Sequence, residues 1–141
     1  MADANRLLEK LACIDLIEKV RRAADEGDVD TFVNSFTEDG VWARPGGAAA
    51  MEGREAIRAT MSNRPEGRLS LHVGGGIDAT LTSPDTATVV SQVTFYATTH
   101  TGPPPAPIVP PSKIFQYTDQ LVRTPEGWRI KHRTTTWIFS G

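Results

Sequence analysis

The sequence predicts an α+β domain in which three N-terminal helices pack on one face of a curved, mainly antiparallel β-sheet. Three observations carry that prediction. Apolar residues recur at helical spacing in the front part of the chain, and from Arg68 onward the period changes to two. The later segments are long, rich in β-branched and aromatic residues, and separated by turn signals. The length of 141 residues fits one domain, 1–141, with a core that needs no disulfide staples.

The first helix runs from Asn5 to Glu26, with Leu7, Leu8, Leu11, Ile14, Ile17, Val20 and Ala24 at helical spacing. Gly27 ends it, and Asp28 is a good N-cap for a short helix over Val29–Phe36. Thr37-Glu38-Asp39-Gly40 reads as a turn into a brief strand, Val41–Arg44. A loop at Pro45-Gly46-Gly47 precedes a third helix, Met51–Met61, which Pro65 and Gly67 close off. In the next segment Leu69, Leu71 and Val73 alternate with Arg68, Ser70 and His72, as in a half-buried strand. Gly74-Gly75-Gly76 interrupts it as a bulge or bend before Ile77–Thr82 continues. Strands over Thr86–Thr99, Lys113–Arg123 and Trp128–Phe139 complete the sheet.

Composition narrows the function. A net charge of −2 gives no reason to expect nucleic acid or an anionic membrane surface as partner. No apolar run approaches the ~20 residues that span a bilayer, and residues Met1–Lys10 contain no signal-peptide core. The single cysteine, Cys13, lies on the apolar side of a helix and reads as a buried, inert thiol, so the expected location is cytoplasmic. Histidine and cysteine spacing suggests neither zinc nor an iron triad, so no metal and no cofactor is expected.

The most informative residue is Asp25. It closes the first helix on the same stripe as Leu7 and Ile14, since seven and eleven residues are near whole turns at about 3.6 residues each. A carboxylate facing an apolar interior must be paired, hydrogen-bonded or protonated. The plainer reading is a frayed helix end facing water beside Gly27. His72 is the best partner, because it stands directly before the glycine step, where small residues leave room for a ligand or a close backbone approach. Simple alternation sets His72 opposite Leu69, Leu71 and Val73, so either that apolar row faces a partner or the glycines change the face. His132 follows Trp128 and Ile130 on the last strand and reads first as a packed core or interface histidine; His100 ends a strand in solvent. No nucleophilic serine motif is present, which leaves acid–base work by an imidazole oriented by a carboxylate.

With Asp25, Gly27-Asp28, Phe36, Glu38-Asp39, Gly53-Arg54-Glu55-Ala56-Ile57, His72 and Gly127-Trp128 in place, the chain resembles the SnoaL-like group of the nuclear-transport-factor-2-like superfamily over nearly its whole length. Within that group the likeness is to scytalone dehydratase and its relatives, where a helix-ending aspartate matches Asp25 and a histidine strand matches His72-Val73-Gly74-Gly75. The resemblance implies a cone-shaped α+β barrel, a deep apolar pocket, frequent dimers and an Asp–His pair acting on a bound water or a substrate proton. Ala24 stands where the dehydratases carry tyrosine, and Ala97 near their second strand histidine, so dehydration of the scytalone type is not implied.

The expected function is therefore that of a cofactor-independent lyase, isomerase or cyclase acting on a small, mostly apolar, carbonyl-bearing molecule. Asp25 and His72 are the expected catalytic pair, with Trp42, Phe95, Gln116 and Tyr117 as substrate-binding candidates, in a homodimer. The alternative is a non-catalytic small-molecule-binding protein or accessory subunit of the same fold. The proline-rich stretch Gly102–Pro111 reads first as a stiff strand connection, then as a P-x-x-P ligand, or as a lid closed by Ile108 and Val109.

Overall fold

The computed structural model describes residues 2–111 and 113–140. Helix α1 spans Asp3–Glu26 and buries Cys13, Leu16, Ile17, Val20 and Ala23 on one stripe. The apolar stripe expected to begin at Leu7 is not packed there: Leu7, Leu8 and Leu11 are exposed, and burial begins only at Cys13. Gly27 ends the helix in the left-handed conformation at φ 72°, as a glycine after a helix does at low steric cost. Asp28 caps α2 (Val29–Asn34) by accepting the Thr31 N–H at 3.1 Å.

The expected turn at Thr37–Gly40 lies inside β1 (Phe36–Ala43). Phe36 pairs with Ile130 and Val41 with His132, so residues 37–40 bulge out against Lys131 alone. Turn-forming residues have made a bulge within a strand instead of ending one. Met51–Glu52 forms a short strand, β2, and α3 begins only at Arg54, running to Ser62 after Gly53 at φ 88°. The remaining strands are β3 (Arg68–Ser83), β4 (Thr86–Thr99), β5 (Lys113–Thr124) and β6 (Gly127–Ser140).

The six strands lie in the order β2-β1-β6-β5-β4-β3. The β1–β6 pairing is parallel and the others are antiparallel, so the sheet is mixed. The cone-shaped α+β barrel is not formed. A barrel closes only if its outer strands pair along a matched ladder. Here β2 has two residues and pairs only with β1, while the sixteen-residue β3 pairs only with β4. The sheet stays open, and the helices cover one face of it.

That covered face has two parts. In one, Phe32, Phe36, Ile57, Val89, Leu121 and Ile130 are buried with the α1 stripe in a continuous core. In the other, Val93, Phe115 and Tyr117 form a smaller apolar cluster with Phe95 against it. Over this second part the helices stand off the sheet and leave a cavity of about 570 Å³. Cys13 is buried in the filled part as a free thiol, which burial pushes up to about 11. No helix among the described residues is long and apolar enough to cross a membrane.

Candidate active site

The last turn of α1 places Asp25 against β3, the edge strand. On an edge strand, alternate residues direct their N–H groups away from the sheet. His72 is such a residue, and its backbone N–H donates to Asp25 Oδ2 at 2.8 Å. The other carboxylate oxygen, Oδ1, accepts from His72 Nδ1 at 2.6 Å and from Ser70 Oγ at 3.1 Å. Burial alone would push the Asp25 carboxyl up, but the His72 and Ser70 hydrogen bonds outweigh it and hold it below the ordinary 3.8. An ionised carboxylate only accepts, so Nδ1 carries a proton, and in the neutral imidazole Nε2 is then the nitrogen with the lone pair. Both side chains are 12% exposed.

A second residue fixes the end of the helix. Carbonyls in a last helical turn lack intrahelical partners, and the last turn of α1 contains no basic residue. Arg64 supplies the donors from the loop after α3: it binds the Ala24 carbonyl at 3.0 Å, the Asp25 carbonyl at 3.1 Å and the Arg68 carbonyl at 3.0 Å. One guanidinium thus ties the aspartate's backbone to the start of the histidine's strand. The glycine step has a different use from a ligand space. A Cβ on Gly74 would overlap the Arg21 guanidinium, so the missing side chain makes room for an arginine of α1.

The inner faces of β3, β4, β5 and β6 build the rest of the wall. His72 pairs with Phe95, which pairs with Lys113, and Ser91 pairs with Tyr117, which pairs with Thr135. The His72 ring lies 4.6 Å from that of Phe95 and 6.1 Å from that of Phe115. His72, Phe95, Tyr117 and Trp42 all line the cavity, and Trp42 Nε1 donates to Thr135 Oγ1 at 3.3 Å. Gln116 does not line it. It alternates with the buried Phe115 and Tyr117, so its side chain lies on the opposite face of the sheet. The row Leu69, Leu71 and Val73 also faces outward and is exposed, while Ser70 and His72 turn in. Polarity on β3 is thus reversed because the inward side meets Asp25 and a cavity instead of a core.

One residue of the wall and its buried partner carry no signal in the histidine and cysteine pattern. Arg133 lines the cavity and holds Asp119 through two hydrogen bonds of 2.7 and 3.1 Å, with both side chains almost fully buried. Burial would lower the guanidinium, but Asp119 outweighs it and holds Arg133 up. The guanidinium carbon also sits 3.9 Å from the Tyr117 ring centroid. Burial pushes the Tyr117 phenol up to about 12, so it remains a donor at neutral pH. Asp119 was within reach of the sequence as an acid in the alternating row Phe115, Tyr117, Leu121, although it is not among the expected site residues. Arg133 was not, because Lys131 is a bulge: Gln120 pairs with His132 and Leu121 with Ile130, which exchanges the faces of β6. His132, read by simple alternation as facing in, therefore faces out beside Thr134. Ile108 is 99% exposed, and neither it nor Val109 lines the cavity, so the proline segment does not cover this site. Among the described residues no group of three or more His, Cys, Asp or Glu is placed to hold a metal ion.

Solved structures of the same architecture span almost all of the chain. A candidate scytalone dehydratase of Novosphingobium aromaticivorans DSM 12444 is 22% identical, the match covering 100% of this chain and 91% of that one at a TM-score of 0.80. The hexachlorocyclohexane dehydrochlorinase LinA-type3 of Novosphingobium barchaimii LL02 is 15% identical over 99% of this chain and 93% of the other, with a TM-score of 0.79. At these identities the likeness is one of fold. An NTF2-like protein with a cystatin-like fold from Novosphingobium aromaticivorans is 25% identical over 98% and 88% of the two chains, with a TM-score of 0.74. No curated protein matches the chain at a significant level. The SnoaL-like domain family model matches residues 5–134, and the chain belongs to this family of the nuclear-transport-factor-2-like superfamily.

Proposed function

We propose that the cavity is the active site of a cofactor-independent lyase, isomerase or cyclase that acts on a small, mostly apolar, carbonyl-bearing molecule. One observation carries the reading: His72 Nδ1 is bound to Asp25 at 2.6 Å at the wall of a cavity, and Nε2 has no hydrogen-bond partner among the described residues. In this tautomer Nε2 removes a proton from the carbon beside the substrate carbonyl, and Asp25 stabilises the imidazolium that forms. The electron pair left on carbon moves to the carbonyl oxygen, for which the Tyr117 phenol, a protonated group lining the same cavity, is the candidate donor. Return of the proton at another carbon completes an isomerisation. Loss of a leaving group completes an elimination, and attack on a second carbonyl closes a ring. A cavity of about 570 Å³ suits a molecule of two or three rings. Trp42 and Phe95 supply apolar walls for it.

The test is turnover of a panel of cyclic ketones and β-hydroxy ketones by the wild type, His72→Ala and Asp25→Asn. Both variants should lose activity by about a hundredfold or more while keeping the wild-type circular dichroism spectrum. Full activity in either variant overturns the dyad.

The outer face of the sheet supports a homodimer. Val73, Thr94, Ile114 and Phe139 form one row across four strands, and Leu71 lies beside it. Leu71, Val73 and Phe139 are 56%, 44% and 67% exposed, and a second copy on this face would bury them. Sedimentation velocity at micromolar concentration should give a dimer; a monomer overturns this part.

A further inference from the structure

The charges around the cavity are distributed unlike those of the chain as a whole. The chain has 17 acidic and 15 basic residues, yet among the described residues no Asp or Glu lines the cavity and six basic residues do. Three of the six have local work. Arg21 pairs with Glu18, Arg64 binds backbone carbonyls, and Arg133 holds Asp119. The other three, Arg44, Arg68 and Lys113, stand at the rim without a carboxylate in ion-pair range among the described residues.

Aromatic rings hold two of them instead. The Arg68 guanidinium carbon lies 5.9 Å from the Phe95 ring centroid, and Lys113 Nζ lies 5.0 Å from that of Trp137. A ring face attracts a cation without consuming its N–H donors, so both groups keep their hydrogen-bonding capacity for something else. The strand register aims them at the dyad. Phe95 pairs with His72 on one side and Lys113 on the other. Arg68 lies four residues before His72 on the same face of β3, about 13 Å along a strand at 3.3 Å per residue, a gap that a long side chain shortens.

We propose that the substrate of this site carries an anionic group, a carboxylate in the simplest case, which Arg44, Arg68 and Lys113 receive at the rim. Its apolar body then lies against the adjoining Phe95 and Phe115 rings, with the reacting carbon at His72. Arginine suits a planar carboxylate because its donors form a rigid fork. A local cluster of cations also draws anions to the cavity although the whole chain is acidic. These three residues set specificity and take no part in proton transfer. The inference rests on the cavity being the active site, but binding tests it separately from turnover.

The experiment is calorimetric titration of the purified protein with 2-naphthoate and with the neutral 2-acetylnaphthalene at low ionic strength. The carboxylate should bind at least about tenfold more tightly, and added salt should narrow the difference. The paired substitution Arg68→Gln with Lys113→Gln should abolish the preference and leave 2-acetylnaphthalene binding within about twofold. The single variants Arg44→Gln and Lys113→Glu, both at exposed positions, provide an independent check if the double variant folds poorly. In His72→Ala the preference should persist, because the rim is intact. Equal affinities, no binding of the carboxylate at millimolar concentration, or a preference that survives the rim substitutions overturns the proposal. Failure of the dyad would appear elsewhere, as full turnover without His72.

Discussion

Asp25 and Asp119 are both carboxylates on the helix-covered face of the sheet, each bound to a basic side chain, yet their partners suit them to different ends. Asp119 meets Arg133 in a fully enclosed, two-point pair. A guanidinium stays charged at any working pH, so that pair has no proton to exchange. Asp25 meets an imidazole, whose second nitrogen lacks a partner among the described residues and borders open space. An imidazole gains and loses a proton near neutrality. One pair anchors the floor of the cavity and the other is equipped to work in it.

Removing each acid should separate the two roles. Asp119→Ala leaves Arg133 charged and buried, which should cost about 3–5 kcal/mol of unfolding free energy in urea titration. Replacing both members, Asp119→Leu with Arg133→Met, should recover most of that loss, because an apolar pair avoids the desolvation of both charges. If the double replacement is as unstable as Asp119→Ala alone, the pair contributes more than burial accounts for. Asp25→Asn should cost less, about 1–3 kcal/mol, as the loss of charge-assisted hydrogen bonds at a half-open site.

A smaller effect concerns acid. Asp25 is lowered below its ordinary 3.8, so the folded state binds its proton less readily than the unfolded chain does. Its contribution to stability is fully present above 3.8 and is lost as the pH falls through the lower folded value. Unfolding free energies measured between pH 5 and pH 2, in about half-unit steps, should fall less steeply for Asp25→Asn than for the wild type. Parallel curves would mean that Asp25 is not held ionised by His72.

The two pairs also differed in how far they could be read from the chain. Asp25 was legible because it broke an apolar helical stripe, and His72 because it preceded a glycine step, although that step serves Arg21. Asp119 broke an apolar row just as visibly, but its partner lay beyond a bulge. Strand alternation carries a side chain's direction only while the ladder is regular, and one extra residue at Lys131 moved His132 out and Arg133 in. The same alternation, unbroken on β5, sends Gln116 to the outer face. It also sends Leu69, Leu71 and Val73 outward, where polarity alone would have turned them in.

What the chain determined by itself was local: the glycine that stops α1, the aspartate that caps α2, and the period of two in the long strands. These follow from backbone sterics and nearby hydrogen bonds, which neighbouring residues carry with them. Tertiary structure decided the rest. A two-residue β2 left the sheet open instead of closed into a barrel, because closure depends on matching strands far apart in sequence. Packing the end of α1 on an edge strand brought Asp25 to His72 across 47 positions. The cationic rim likewise gathers residues from β3, β5 and the loop after β1, an arrangement that exists only once the sheet sets them side by side.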